Sequence, residues 1–134
     1  MLLVIDANIV ISSLIGRKLD NLIFSPKLDL VAPERLFTEI MRHREEILLK
    51  SGLAKLEFEI LIILLEKKIK LVPMEEFIAL LPKAEELLEE HKKDTPYVAL
   101  ALKFNCPFWS YEERFKKIGE VESLTTSEVR SRLE

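Results

Sequence analysis

The chain opens on four consecutive apolar residues, Leu2 to Ile5, that run straight into Asp6. An unbroken apolar run of this length is the pattern of a strand covered on both faces, as central parallel strands are. Ala7 to Ile15 then reads as a helix that begins at once, and Gly16-Arg17-Lys18 breaks it. Leu19 to Phe24 predicts a short second helix, closed by Ser25-Pro26. Leu28 to Ala32 predicts a second strand, and Pro33 opens a helix at its first position, where proline is tolerated. Leu36, Phe37, Ile40, Ile47 and Leu48 give that helix one apolar stripe, and Ser51-Gly52 stops it.

Leu53 to Lys68 predicts a helix that is apolar on more than one face, through Leu56, Phe58 and Ile60 to Leu65. Such a helix is either deeply buried or packed on a partner. Ile69 to Val72 predicts a third strand ended by Pro73, and Met74 to Leu80 a helix. Pro82 opens another helix through His91, with Glu85, Glu86, Glu89 and Glu90 as a solvated face. A helix over Tyr97–Phe104, rich in small and apolar residues, leads to a fourth strand, Pro107 to Ser110. A polar loop over Tyr111–Gly119 precedes a fifth strand near Val121–Leu124, and Ser127 to Leu133 closes as a helix with Thr126 as its cap. Short strands alternating with helices predict an α/β fold: a three-layer, doubly wound, mostly parallel sheet of about five strands flanked by helices. No linker or repeat interrupts the pattern, so residues 1–134 read as a single domain.

Composition narrows the class. Hydrophobic residues make up 49% of the 134 residues and charged residues 32%, which is globular rather than disordered. Glutamine is absent and Lys, Glu, Leu and Ile are heavily used, which resembles a heat-adapted, thermophile composition. The net charge is −3, whereas nucleic-acid binders usually carry a basic excess. A role on nucleic acid must therefore rest on local basic patches and on cations held by acids. One cysteine, Cys106, excludes an internal disulfide and a cysteine-rich zinc site. No basic segment precedes the first apolar run, and Ile60–Leu65 is too short to span a bilayer. The expectation is a soluble, cytoplasmic protein with no membrane partner.

In a doubly wound sheet the C-terminal ends of the strands share one edge, where ligands bind. Asp6 stands there by position, either as a ligand-binding acid or as the N-cap of the helix that follows. Glu39 is expected about two turns into the helix after the second strand. From there it leans over the crevice or pairs with Arg42 or His43 at i+3 and i+4. If Pro96 is the first helical residue, Thr95 is the cap and Asp94 is left over; otherwise Asp94 is itself the cap. Glu112 follows the fourth strand by two residues, either at the same edge or in an ordinary polar loop that Phe115 anchors. Four acids packed together raise one another's pKa unless a cation neutralises them. A hard divalent ion, Mg²⁺ or Mn²⁺, suits such oxygen donors, lowers the pKa of a bound water and offsets phosphate charge.

Four segments, LLVIDANIVIS at Leu2–Ser12, APERLFTEIMRHREEI at Ala32–Ile47, DTPYVALAL at Asp94–Leu102 and PFWSYEERF at Pro107–Phe115, give the chain a pattern that resembles the PIN-domain nucleases. That family includes the toxin halves of VapBC-type toxin–antitoxin pairs and several RNA-processing enzymes. The resemblance implies metal-dependent endonucleolytic cleavage of single-stranded RNA. It places Asp6, Glu39 and Asp94 on the first three family acids, Ser110 on a supporting hydroxyl and Glu112 on the last acid, where Asp is usual. The extra methylene moves that carboxylate by about 1.5 Å, one C–C bond. Asn8 is a further supporting candidate, and Arg42, Arg44, Lys92, Lys93 and Arg114 are candidate phosphate contacts. The implied partners are single-stranded RNA, a cognate antitoxin protein and a second copy in a homodimer. The competing reading is a catalytically weak module of the same fold that dimerises or captures a protein or RNA partner through Leu53–Leu65. A haloacid-dehalogenase phosphatase would carry a second acid after the first strand, which Asp6-Ala7-Asn8 lacks. A response-regulator receiver would end its third strand in Asp, where this chain has Pro73.

Overall fold

A computed structural model describes residues 1–18, 22–90 and 92–134. Five strands, β1 (Leu2–Ile5), β2 (Asp29–Pro33), β3 (Ile69–Val72), β4 (Phe108–Trp109) and β5 (Ser123–Leu124), form one sheet in the order β3-β2-β1-β4-β5. Every pairing is parallel, with Leu3 opposite Leu30, Val4 opposite Phe108, Leu30 opposite Ile69 and Phe108 opposite Ser123. Leu3, Val4 and Ile5 are wholly buried, so both faces of β1 are covered and the fold is the expected three-layer α/β sandwich. The chain adds β2 and β3 on one side of β1, then returns to add β4 and β5 on the other. The boundary between β1 and β4 is thus the switch point where such sheets form a crevice.

The helices among the described residues are α1 (Ala7–Ile15), α2 (Leu36–Arg42), α3 (Arg44–Ser51), α4 (Lys55–Lys68), α5 (Leu81–Leu88), α6 (Thr95–Phe104) and α7 (Thr126–Leu133). Helix α6 lies across β1 and β2, and its small Ala99 and Ala101 are buried, which lets it approach the sheet closely. Helix α1 packs on α2 and α3. None of the described helices is long and apolar enough to cross a membrane.

Several elements differ from expectation. Pro33 is the last residue of β2 and not the first of a helix; there its missing N–H falls where the strand ends. Helix α2 therefore starts at Leu36, and Glu39 lies in its first turn rather than two turns in. The single helix expected from Pro33 to Lys50 breaks at His43, whose N–H bonds to Ile40 O at 3.0 Å, so α3 starts afresh at Arg44. Ile40 and Ile47 are both buried and seven residues apart, a spacing that a continuous helix also satisfies, so the periodicity conceals the break.

Met74 to Leu80 forms two 3-10 turns, because Phe77 leaves helical backbone (φ −129°) to bury its ring. Helix α5 ends at Leu88, where Glu89 takes positive φ, short of the expected His91, which lies outside the described residues. The helix expected at Leu19–Phe24 also begins outside them, and its described part, Leu22–Phe24, is a turn. The cap of α7 is Thr125 rather than Thr126: its hydroxyl accepts from Glu128 N–H at 3.3 Å while Glu128 accepts from Thr125 N–H at 3.1 Å. Thr126 instead accepts a hydrogen bond from the buried Trp109 indole at 3.1 Å.

Gly52 ends α3 in the left-handed region, with φ of +73°. Gly52→Ala meets no neighbouring atom within 4 Å, so its effect is purely conformational. It is expected to destabilise by about 1 kcal/mol and to lower the melting temperature by about 3–5 °C in a thermal unfolding scan.

Candidate active site

Asp6 leaves β1 at the switch point and is the N-cap of α1, its Oδ1 accepting a long bond of 3.4 Å from Asn8 N–H. Capping is not its whole environment. Its Oδ2 accepts from the buried Ser110 hydroxyl at 2.9 Å, and Ser110 Oγ in turn accepts from Glu112 N–H at 3.2 Å. The end of β4 thus orients the acid at the end of β1. Asp6 is only 3% exposed, and burial pushes its carboxyl up to about 6 against the lowering effect of those two bonds; the charges of Asp94 and Glu112 raise it further. The exposed side chain of Asn8 lines the adjoining cavity, and its backbone N–H is what reaches Asp6.

Glu39 pairs with Arg35, four residues earlier, at 2.6 Å, and not with Arg42 or His43. Arg35 precedes α2, lies over the Tyr97 ring at 5.6 Å and donates to the Lys93 carbonyl. Glu39 Oε1 is buried and its partner is Arg35 Nε, with the Tyr97 hydroxyl nearby. Burial, then the charges of Glu39 and Asp6, push the Tyr97 hydroxyl well above its ordinary range, so it stays protonated.

Helix α6 begins at Thr95 with Asp94 at the N-cap position, yet the Asp94 carboxylate makes no capping bond. Thr95 is not the cap either; its hydroxyl donates to Lys92 O at 2.5 Å. Asp94, 7% exposed, instead receives Arg114 Nη2 on Oδ2 at 2.6 Å. The same nitrogen lies 2.7 Å from Glu112 Oε2. Phe115 is buried against Phe108 edge to face, with ring centroids 5.0 Å apart, and anchors this loop as expected.

Asp6, Glu39 and Asp94 come together on one cavity of about 330 Å³, within the range of ligand sites. Arg35, Arg42, His43 and Lys93 line it too, so acids from three distant segments face a set of basic groups. Glu112 is not among the lining residues and joins the group through Arg114 and Ser110. Of the basic candidates, Arg42 and Lys93 are at the cavity. Arg44 stacks on Phe58 at 5.7 Å and Lys92 pairs with Glu85 at 3.1 Å. Sequence reasoning missed Arg35, Thr38 and His43 as lining residues; the i,i+4 spacing of Arg35 and Glu39 is a signal that would have found the first.

Residues 4–134 match the PIN domain family. The chain belongs to that family. Comparison with curated proteins and with solved structures returns no match. PIN domains are generally nucleases, and such nucleases typically use divalent metals.

In kind, the donor set of this PIN domain suits a hard divalent cation, since it offers carboxylate oxygens and no accessible thiolate. The buried Asp6 carboxyl, raised to about 6, would gain from such a charge. Among the described residues, however, no group of three or more His, Cys, Asp or Glu side chains is arranged to hold an ion. Three of the acids are instead engaged in ion pairs. Arg35 holds Glu39, and Arg114 holds both Asp94 and Glu112.

Proposed function

We propose that this PIN domain is a divalent-metal-dependent endoribonuclease that cuts single-stranded RNA. Asp6, Glu39, Asp94 and Glu112 would hold Mg²⁺ or Mn²⁺. The observation that carries this reading is the buried, pKa-raised Asp6 at the sheet's switch point, sharing one cavity with Glu39 and Asp94. When bound, the cation would supply an activated water and offset the charge of the scissile phosphate. The chain's own part is positioning. Ser110 orients Asp6, the start of α6 carries Asp94, and Arg42 and Lys93 offer charge to the phosphates on either side of the cut. A role as a toxin would add growth arrest on expression, relieved by Asp6→Asn, and a cognate antitoxin covering the cavity.

The test is cleavage of an end-labelled single-stranded RNA with Mn²⁺ by the wild type and by Asp94→Asn. The variant is expected to lose at least about 100-fold in rate, since even the outer partners of metal ligands are worth 10–100-fold. Equal cleavage by both proteins, or no cleavage by the wild type, overturns the reading.

A second reading has its own observation. On α4, Leu56 (66% exposed), Ile60 (49%), Ile63 (53%) and Leu64 (44%) form one apolar stripe on the surface. Such an exposed stripe favours packing on a second copy of the chain in a homodimer, with or without activity. Ile63→Glu is then expected to shift the sedimentation coefficient from dimer to monomer, and an unchanged coefficient counts against the stripe as the interface.

A further inference from the structure

Arg114 stands where two carboxylates of the proposed metal set meet. A single nitrogen, Nη2, lies 2.6 Å from Asp94 Oδ2 and 2.7 Å from Glu112 Oε2. This is the contact that a shared cation would make with the same two oxygens, in charge if not in coordination number. The guanidinium is held from behind as well, with its carbon 4.9 Å from the centre of the Phe115 ring. Phe115 is buried, so the chain carries Arg114 to this position on a rigid foot. Asp94 shows how completely the guanidinium occupies the site: at the N-cap of a ten-residue helix, its carboxylate makes no capping bond and turns to Arg114 instead.

We propose that Arg114 is a tethered cation that occupies the position between Asp94 and Glu112 and competes there with the divalent ion, so that metal enters only when the guanidinium moves out. The inference rests on the metal-dependent reading above and adds to it a residue that sets metal affinity. The fold provides room for the displaced side chain. Arg114 also lines a separate cavity of about 310 Å³, bounded by Leu88, Glu89, Phe115, Lys117 and Ile118. Arg114 is then a positioning residue: one nitrogen holds the Asp94 and Glu112 carboxylates close together. This differs from the direct phosphate contact that its sequence position suggests. Removing a phosphate-binding arginine shifts metal affinity only as the loss of any nearby charge does, whereas removing a competing cation also frees the two oxygens it occupied.

The experiment is direct Mn²⁺ binding without RNA, read from loss of the free-ion signal in electron paramagnetic resonance. It compares the wild type with Arg114→Gln, Arg114→Lys, Lys117→Gln and Asp6→Asn. Lys117 is exposed in the same turn, so Lys117→Gln removes one positive charge without touching the carboxylates. Arg114→Gln is expected to bind Mn²⁺ about tenfold more tightly than wild type, the scale of one charged hydrogen bond. Lys117→Gln is expected to shift affinity far less. Arg114→Lys keeps a charge and folding support if the glutamine variant proves unstable, and it is expected to fall between wild type and Arg114→Gln. If wild type binds Mn²⁺ through Asp6 but neither Arg114 variant binds more tightly than Lys117→Gln, the competition is overturned and the metal reading stands. If no protein binds Mn²⁺ above the Asp6→Asn background, both are overturned.

Discussion

Asp6→Asn is expected to remove Mn²⁺-dependent RNA cleavage and, in metal-free buffer at neutral pH, to make the protein more stable. The two effects have one cause. Burial raises the Asp6 carboxyl from 3.8 to about 6. The folded state therefore binds a proton more tightly than the unfolded state, and the ionised carboxylate is a burden on folding. Stability associated with this group is fully present below about pH 4 and is lost as pH rises through 6. At pH 7.5 the burden amounts to as much as about 3 kcal/mol, on the scale of 1.36 kcal/mol per pKa unit. Asparagine removes the charge while keeping an acceptor for Ser110 and for Asn8 N–H, and it caps a helix as well as aspartate does. Denaturant unfolding with EDTA should show the variant more stable at pH 7.5 and the difference gone at pH 4. A residue serving only as the cap of α1 would show neither the gain in stability nor the loss of cleavage.

Phe115→Ala is expected to give the largest loss of stability, about 3–5 kcal/mol, and to lower the melting temperature by about 10–20 °C. The ring is buried, meets Phe108 edge to face at 5.0 Å and lies under the Arg114 guanidinium. Without it, the 3-10 turn over Glu113–Lys117 loses its anchor and Arg114 loses its backing. Well below the melting temperature, the folded variant is therefore expected to bind Mn²⁺ more tightly than wild type. A variant that melts lower with unchanged metal affinity would separate loop anchoring from the position of Arg114.

The parts of the fold that were legible in the sequence were those written in short-range patterns. The run Leu2–Ile5 reads as a covered strand and Asp6 follows it directly, so a local pattern was enough to place Asp6 at the sheet edge. Pro96 marked the first turn of α6 and left Asp94 at its mouth. Where one local signal admits two structures, the reading failed. Pro33 is compatible with a first helical residue and with the end of a strand, and choosing the former put Glu39 too deep and gave it the wrong ion-pair partner. The break at His43 carries no glycine or proline, and the apolar spacing runs through it undisturbed.

The site's electrostatics were legible only in outline. Acids from distant segments could be placed on one edge, and three of them do line one cavity. What neutralises them was not legible. Arg114 and Asp94 are twenty residues apart with no periodic relation, and they meet only once the chain is folded, with Phe115 buried beside Arg114. Glu112 stood out in the sequence as the departure from the usual Asp, and it is also the acid that does not line the cavity. Its longer side chain reaches Arg114.

The most direct test of the central claim uses a covalently closed circular single-stranded RNA, which has no ends and is cut only by an endonuclease. The account predicts that the wild type with Mn²⁺ linearises the circle, that EDTA stops it, and that Asp6→Asn leaves the circle closed. A circle left intact by the wild type with Mn²⁺, or opened equally by wild type and Asp6→Asn, would contradict it.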